Sequence, residues 1–267
     1  MSFLHILVLA AVQGITEFLP ISSSGHLLLV PLLTDWQDQG IELDIATHVG
    51  SLLAVILYFR ADIFRMGKAL AGVGSADDVI GGRQLFFHTV VGSIPVVIAG
   101  AILLFIVKID LRSLLLIAMT TLFFGLALGV ADYFFKGRRS LREMNSWDAL
   151  FIGIFQIFAL FPGTSRSGVT MTAALIRGLD RTTAAHFSML LSIPVIFAAG
   201  IAATYKSLIG GDFSFGLAAL LAAVVSFVIA YLVIRTLMVW INKIGFMPFV
   251  IYRIILGGAL LAIYATA

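Results

Sequence analysis

Two long apolar stretches of this chain are interrupted at their centres by polar residues, proline and glycine. One holds "QGITEFLPISSSGHLLLV", Gln13 to Val30; the other is centred on "FPGTSRSG", Phe161 to Gly168. Hydrocarbon offers an exposed N–H or C=O no partner. Non-helical backbone at membrane depth therefore survives only against protein or in a wet cavity. These interruptions restrict how the chain can cross a bilayer more than any other feature.

Composition says that a bilayer is the solvent. Of the 267 residues, 61% are hydrophobic and 12% charged, against about one-quarter charged in soluble domains. The mean hydropathy is +1.10. Six segments reach or approach the roughly 20 apolar residues of a span: Ala46–Phe59, Leu85–Val107, Leu114–Val130, Ala184–Tyr205, Phe215–Ile234 and Phe246–Ala265. The broken stretches, Phe3–Val30 and Leu150–Ile176, are read as re-entrant helix–loop–helix hairpins; a kinked spanning helix is the alternative for each. The expected fold is an all-α integral membrane protein with about six transmembrane helices plus two hairpins, in a single membrane domain over residues 1–267. The net charge of +3 is small and the basic residues form no patch, so no nucleic-acid partner is expected. Cysteine is absent, which removes thiolate chemistry. "MSFLHILVLA" lacks a basic leader and is read as mature protein.

Charge placement favours the hairpins. With both termini outside, the inner loops hold Arg60, Arg65, Lys68, Arg83, Lys136, Arg138, Arg139, Arg142, Arg177, Arg181, Arg235 and Lys243. The outer loops hold only Lys108, Arg112 and Lys206, and the first of them is acidic: Asp35, Asp38, Glu42 and Asp44. Twelve against three satisfies the positive-inside rule. The two remaining cations, Arg166 and Arg253, lie within apolar stretches, and Glu17 is the one acid that does. An ionisable group at such depth is a functional-site candidate by default; a structural Glu17–Arg166 ion pair is the plainer alternative.

The breaks also repeat. Gln13, Ser22, Ser24 and Gly25 recur as Gln156, Ser165, Ser167 and Gly168, all at an offset of 143. Opposite sidedness makes this an inverted-topology repeat, residues 1–132 and 148–267. Such repeats place a site at their interface, built from broken helices. The residues there suit phosphate. Helix N-termini, turn backbone and the hydroxyls of Ser22, Ser24, Ser165, Ser167 and Thr170 favour an anion, and the Arg166 fork matches phosphate oxygens. Glu17 beside an anion requires a cation, so Glu17 with the Gln13 carbonyl is expected to hold a divalent ion, Mg²⁺ or Ca²⁺. Ser23 and His26 suggest covalent phosphoryl transfer by hydroxyl attack, with His26, three residues on, reaching back to move protons; direct attack by His26 is the rival. Ser22 and Ser24 taken singly read as helix caps, and His5, His48, His88 and His186 as structural.

"QGITEFLPISSSGH" resembles the first signature, and "PGTSRSGVT" the second, of the undecaprenyl-diphosphate phosphatase or bacitracin-resistance family; "FMPFVIYRIILGG" is also similar to it. The resemblance implies a bacterial inner-membrane enzyme that removes the terminal phosphate of a C55 polyprenyl diphosphate. It implies divalent-metal dependence and a site open to the outer face, with Glu17, Ser23, His26 and Arg166 at the family's functional positions. Gln13 stands where many members have Glu, which removes one acidic metal ligand. The expected partners are that lipid, membrane lipids and a second copy in a homodimer. A lipid-carrier flippase of the same architecture is the alternative function.

Overall fold

The computed structural model describes residues 3–34, 36, 40–107, 113–210 and 216–266, and its regular structure among these is helical. In chain order the helices are α1 (Phe3–Thr16), α2 (Ser23–Thr34), α3 (Gly40–Tyr58), α4 (Arg60–Leu70), α5 (Ala76–Ile102), α6 (Leu114–Phe134), α7 (Ser146–Gln156), α8 (Arg166–Ile176), α9 (Arg181–Gly210), α10 (Leu217–Ile244) and α11 (Met247–Thr266). A π-helical turn, Leu103–Val107, prolongs α5, and a 3₁₀ turn, Ile157–Leu160, prolongs α7. Asp35, Asp38, Lys108 and Arg112 lie outside the described residues, as does the Phe215 start of the fifth apolar run.

Among the described residues five helices, α5, α6, α9, α10 and α11, are long and apolar enough to cross a membrane. The chain is a multi-pass, all-α membrane protein. A sixth span requires α3 and α4 together, and these are bent by 71° across Phe59. The charges from Arg60 to Arg83 predict a loop, whereas this stretch contains α4 and the start of α5. The physical reason is amphipathicity. On α4, Met66 and Ala69 are buried while Arg60, Arg65 and Lys68 stay outside the core. Its hydropathy is low but its helical spacing is intact. Ser75 then opens α5 by accepting the Asp78 N–H, a cap about 1 kcal/mol better than alanine. Helices end at caps, not where hydropathy falls, so α5 and α10 overrun the apolar windows by several turns.

The broken stretches give four short arms. α1 has 14 residues, α2 12, α7 11 and α8 11; at 1.5 Å per residue even α1 covers only about 21 Å of a roughly 30 Å core. α1 packs on α10 and α7 on α5, so the first arm of each stretch lies against a helix from the other half of the chain. α3 also packs on α10, and α6 on α11. Without a hydrophobic drive between helices in lipid, small residues and hydroxyls hold such pairs. A Cβ on Gly50 of α3 would lie 2.1 Å from the Ala223 carbonyl oxygen of α10. Beside it Ser51 and Ser226 share a hydrogen bond of 3.0 Å.

Two buried acids tie the helix ends on one side of the bundle. Asp148 accepts from Arg139 and Arg177 at 2.5 and 2.7 Å, and Asp132 from Arg181 at 2.5 Å. Burial favours the neutral form of Asp148, but the Arg139 contact, the Asn145 N–H and Arg177 outweigh it and hold the carboxyl below its ordinary range.

Candidate active site

The two breaks adopt one local geometry, 143 residues apart. Ser22 has φ 72° and Ser165 φ 68°, the non-glycine residues with positive φ among those described. In each, the serine Oγ accepts the N–H three residues on: Gly25 at 3.3 Å and Gly168 at 3.2 Å. In each, the same hydroxyl meets that of the serine two residues on at 3.2 Å. A left-handed non-glycine residue costs about 1–3 kcal/mol. The cap that each serine hydroxyl supplies offsets part of that strain.

The two turns touch. Gly163 N–H donates to Ser24 Oγ at 3.2 Å, and Ser167 Oγ donates to the Leu19 carbonyl at 2.9 Å. Arg253, wholly buried on α11, joins them. Its Nη1 donates to Pro20 O at 3.5 Å and its Nη2 to Gly163 O at 3.0 Å. Nε donates to Thr121 O at 3.2 Å and Nη2 also to Thr120 O at 3.4 Å. A break in each half of the chain and a turn of α6 thus share one guanidinium.

Glu17 sits in the first break with its side chain 9% exposed. Its Oε2 accepts from Gln13 Nε2 at 3.0 Å and from Ser23 Oγ at 3.2 Å. His48 Nε2 lies 3.9 Å from the same oxygen. Oε1 faces Arg166 Nη2 at 3.4 Å. Arg166 Nη1 donates to Ser188 O on α9 at 2.9 Å, and its Cζ lies 5.9 Å from the Phe18 ring centroid. The structure therefore brings Gln13, Glu17, Ser23 and Arg166 together, from elements as far apart in sequence as α1 and α8. Ser23 opens α2 and Arg166 opens α8, so each begins a helix, the end whose dipole favours an anion.

Other expected residues are placed differently. His26 does not reach back to Ser23. Its Nδ1 lies 2.7 Å from Ser22 O and its Nε2 2.5 Å from the Tyr252 hydroxyl, with the two rings stacked at 5.5 Å. Both ring nitrogens are engaged, so its first effect is to fix the start of α2 against α11. Ser165, Ser167 and Thr170 are buried and their hydroxyls are committed. Ser165 caps α8, Ser167 holds Leu19 O, and Thr170 meets Ser188 Oγ at 2.7 Å. Ser22 is buried as a cap, while Ser24 is exposed and accepts from the second turn. These hydroxyls build the turns on which Ser23 and Arg166 are carried.

Two residues escaped the sequence reading. His48 resembles any structural histidine until α3 brings it to Glu17. Arg253 carried a signal, an unpaired cation within an apolar run, but not its partners, which are carbonyls.

The donors suit a hard divalent cation. Gln13 Oε1 is buried without a hydrogen-bond partner, on an amide whose nitrogen donates to the Glu17 carboxylate. The amide must face this way, because the flipped form would set two oxygens together. Gln156 Oε1 is likewise buried and unpartnered, but its amide donates to Gly92 O with no carboxylate alongside. Gln13 is thus the unsatisfied amide that adjoins a carboxylate, and carboxylate and amide oxygens are the donor types a hard cation takes. No group of three or more His, Cys, Asp or Glu able to hold a metal occurs among the described residues.

Residues 6–259 match the family model described as Bacitracin resistance protein BacA. The chain belongs to this family. The matched span contains both breaks, His48 and Arg253. Among family relatives, the chain is 48% identical over 265 residues to "Undecaprenyl-diphosphatase" of Hahella chejuensis, covering 98% of each. It is 47% identical over 261 residues to the protein of that name from Alteromonas mediterranea, again 98% of each. For the Marinobacter nauticus protein of that name the figure is 43% over 264 residues, covering 98% of this chain and 99% of the relative.

Proposed function

We propose that this protein is a membrane phosphatase that converts a polyprenyl diphosphate, undecaprenyl diphosphate in the first instance, to the monophosphate and inorganic phosphate. The carrying observation is the Ser23–Glu17–Arg166 cluster. A hydroxyl bonded to a carboxylate faces a buried guanidinium where two helices begin. Family membership and the names of full-length relatives support the same reading.

In the reaction Ser23 Oγ attacks the terminal phosphorus, and the bond from that phosphorus to the bridging oxygen breaks. Polyprenyl monophosphate leaves and a phosphoserine remains. Glu17 Oε2, already the acceptor of the Ser23 proton, takes it as the new bond forms. Arg166 and the N–H groups opening α2 and α8 stabilise the oxygens of the transferring group. Glu17 passes the Ser23 proton to the departing monophosphate. Water then attacks the phosphoserine phosphorus and gives a proton to Glu17, the P–Oγ bond breaks, and Ser23 Oγ takes the proton back from Glu17 as inorganic phosphate leaves. A divalent ion, Mg²⁺ or Ca²⁺, held by Glu17 and Gln13 Oε1 would supply charge neutralisation on the diphosphate. His26 positions Ser23 through the first turn of α2. This replaces the direct proton transfer expected from sequence spacing.

The reading extends to the bacterial plasma membrane, with the breaks as re-entrant hairpins of an inverted repeat and the site open to the outer face. The twelve-to-three distribution of basic residues supports it. A reporter active only in the cytoplasm, fused to the C-terminus, should stay silent; strong activity would reverse the orientation. A homodimer is not required, since one chain supplies every residue of the cluster.

The decisive experiment traps the intermediate. Purified protein is mixed with terminally labelled farnesyl or C55 diphosphate and quenched in acid, which a phosphoserine survives and a phosphohistidine does not. Label should map to Ser23, and Ser23→Ala should release no phosphate. Full activity in Ser23→Ala, or label on His26, would overturn the assignment; a flippase would leave the diphosphate intact. Arg166→Lys keeps the charge but cannot hold Ser188 O and Glu17 as one fork does. It should cost at least about tenfold in kcat/KM, or about 1.4 kcal/mol, read from phosphate release.

A further inference from the structure

A groove of about 400 Å³ runs between α3 and α9, within the size range of ligand clefts. On α3 it is lined by Ile45, His48, Val49 and Leu52, the i, i+3, i+4, i+7 positions of one face. On α9 the lining extends from Ile196 to Leu208, about 18 Å of helix at 1.5 Å per residue. Phe197 and Ile201 on its rim are 60% and 56% exposed, so the groove opens sideways, where lipid would lie.

We infer that this groove holds the proximal isoprene units of the substrate, the rest of the chain staying in the bilayer. The inference rests on the reading of the protein as a polyprenyl-diphosphate phosphatase. Three observations single out this occupant. The first is continuity: His48 lines the groove and also stands 3.9 Å from Glu17 Oε2. A diphosphate held at Glu17, Ser23 and Arg166 therefore has an apolar channel beginning at its own edge. The second is chemistry. The rest of the lining is mainly aliphatic and aromatic, suited to a branched hydrocarbon and without a cation for a second headgroup. The third is Gly200, in the interior of α9, where glycine costs about 1 kcal/mol relative to alanine. Gly50 and Gly153 lack side chains because neighbouring backbone occupies the place. A Cβ on Gly200 meets nothing within 4 Å. Its missing side chain lets no helix approach and instead leaves room in the groove wall.

The test fills that room. Phosphate release is measured from C5, C15 and C55 diphosphates for wild type and Gly200→Leu, with thermal unfolding in detergent as the folding control. Gly258→Leu on α11 is the matched variant, because a Cβ there also meets nothing within 4 Å and Gly258 does not line the groove. Gly200→Leu should raise KM for the C15 and C55 substrates by about tenfold or more, the scale on which an apolar pocket discriminates one or two methylenes. It should leave kcat/KM on the C5 substrate and the unfolding temperature near wild type. Gly258→Leu should change none of these. Equal loss on C5 and C55 would overturn the inference. So would no change on either, which would mean that ordinary bilayer lipid occupies the groove. Failure of wild type to release phosphate from any of the three would sink the phosphatase reading itself, and the inference with it.

Discussion

Glu17→Gln should lose about 10²–10⁴-fold in kcat/KM, the range that a positioned acid–base group contributes, while remaining folded. The substitution keeps the shape and the location of both oxygen-side contacts. It removes the charge that Ser23, Gln13, Arg166 and His48 all face. Ser23 then donates to an amide, which is a far poorer proton acceptor. Gln13 Nε2 loses a charged partner, and Arg166 loses its counter-ion in a region of low dielectric, where direct charge effects are large. The same variant should respond little to added Mg²⁺, because the carboxylate of the proposed cation site is gone. Phosphate release with EDTA and with graded Mg²⁺ checks both. Wild-type metal dependence in Glu17→Gln would place any ion elsewhere, and turnover within a few-fold of wild type would remove Glu17 as the base.

Arg253→Met should instead act on the fold. The methionine is long and apolar enough to fill much of the same volume, but it donates nothing. Pro20 O, Gly163 O, Thr120 O and Thr121 O would lose a shared donor. Gly163 O keeps the Thr121 hydroxyl and the Thr120 and Thr121 carbonyls lie inside α6, so Pro20 O is the group left without a donor, at about 1–3 kcal/mol, and the tie between the turns goes with it. The midpoint of thermal unfolding in detergent should drop well below wild type, with activity falling in step. Arg253→Lys should sit between, since one ammonium can reach some of the four carbonyls but not all. An unchanged midpoint in Arg253→Met would show that the turns hold without their common donor.

Much of the fold was legible because the bilayer imposes a simple rule on length and hydropathy. The runs from Leu85, Leu114, Ala184 and Phe246 correspond to α5, α6, α9 and α11 for that reason. α4 was hidden because its sequence balances Arg60, Arg65 and Lys68 against Met66 and Ala69, and an average cannot see a face. The cluster was legible in part. Glu17 and Arg166 stood out as charges in apolar surroundings, and the structure pairs them. What sequence spacing could not supply was direction. His26 lies three residues from Ser23 yet engages Tyr252, 226 residues away along the chain. His48 lies far from Ser23 in sequence yet faces the same carboxylate oxygen. The hydroxyls of Ser165, Ser167 and Thr170 look available in a motif, but folding commits them to cap and crosslink the second turn.

Arg253 also bears on the order in which a ribosome delivers this chain to the membrane. Every residue touching Glu17 has been synthesised by the time Arg166 emerges, yet the donor that binds Pro20 O to Gly163 O arrives only with the last helix. A nascent chain halted after Gly245 would carry the whole reactive cluster on two turns joined by the Ser24 and Ser167 hydrogen bonds but without the buried guanidinium that ties both to α6. Completion of α11 is then the event that switches a threaded intermediate into a competent catalyst, so premature termination near the C-terminus should be as damaging as a lesion in the cluster itself.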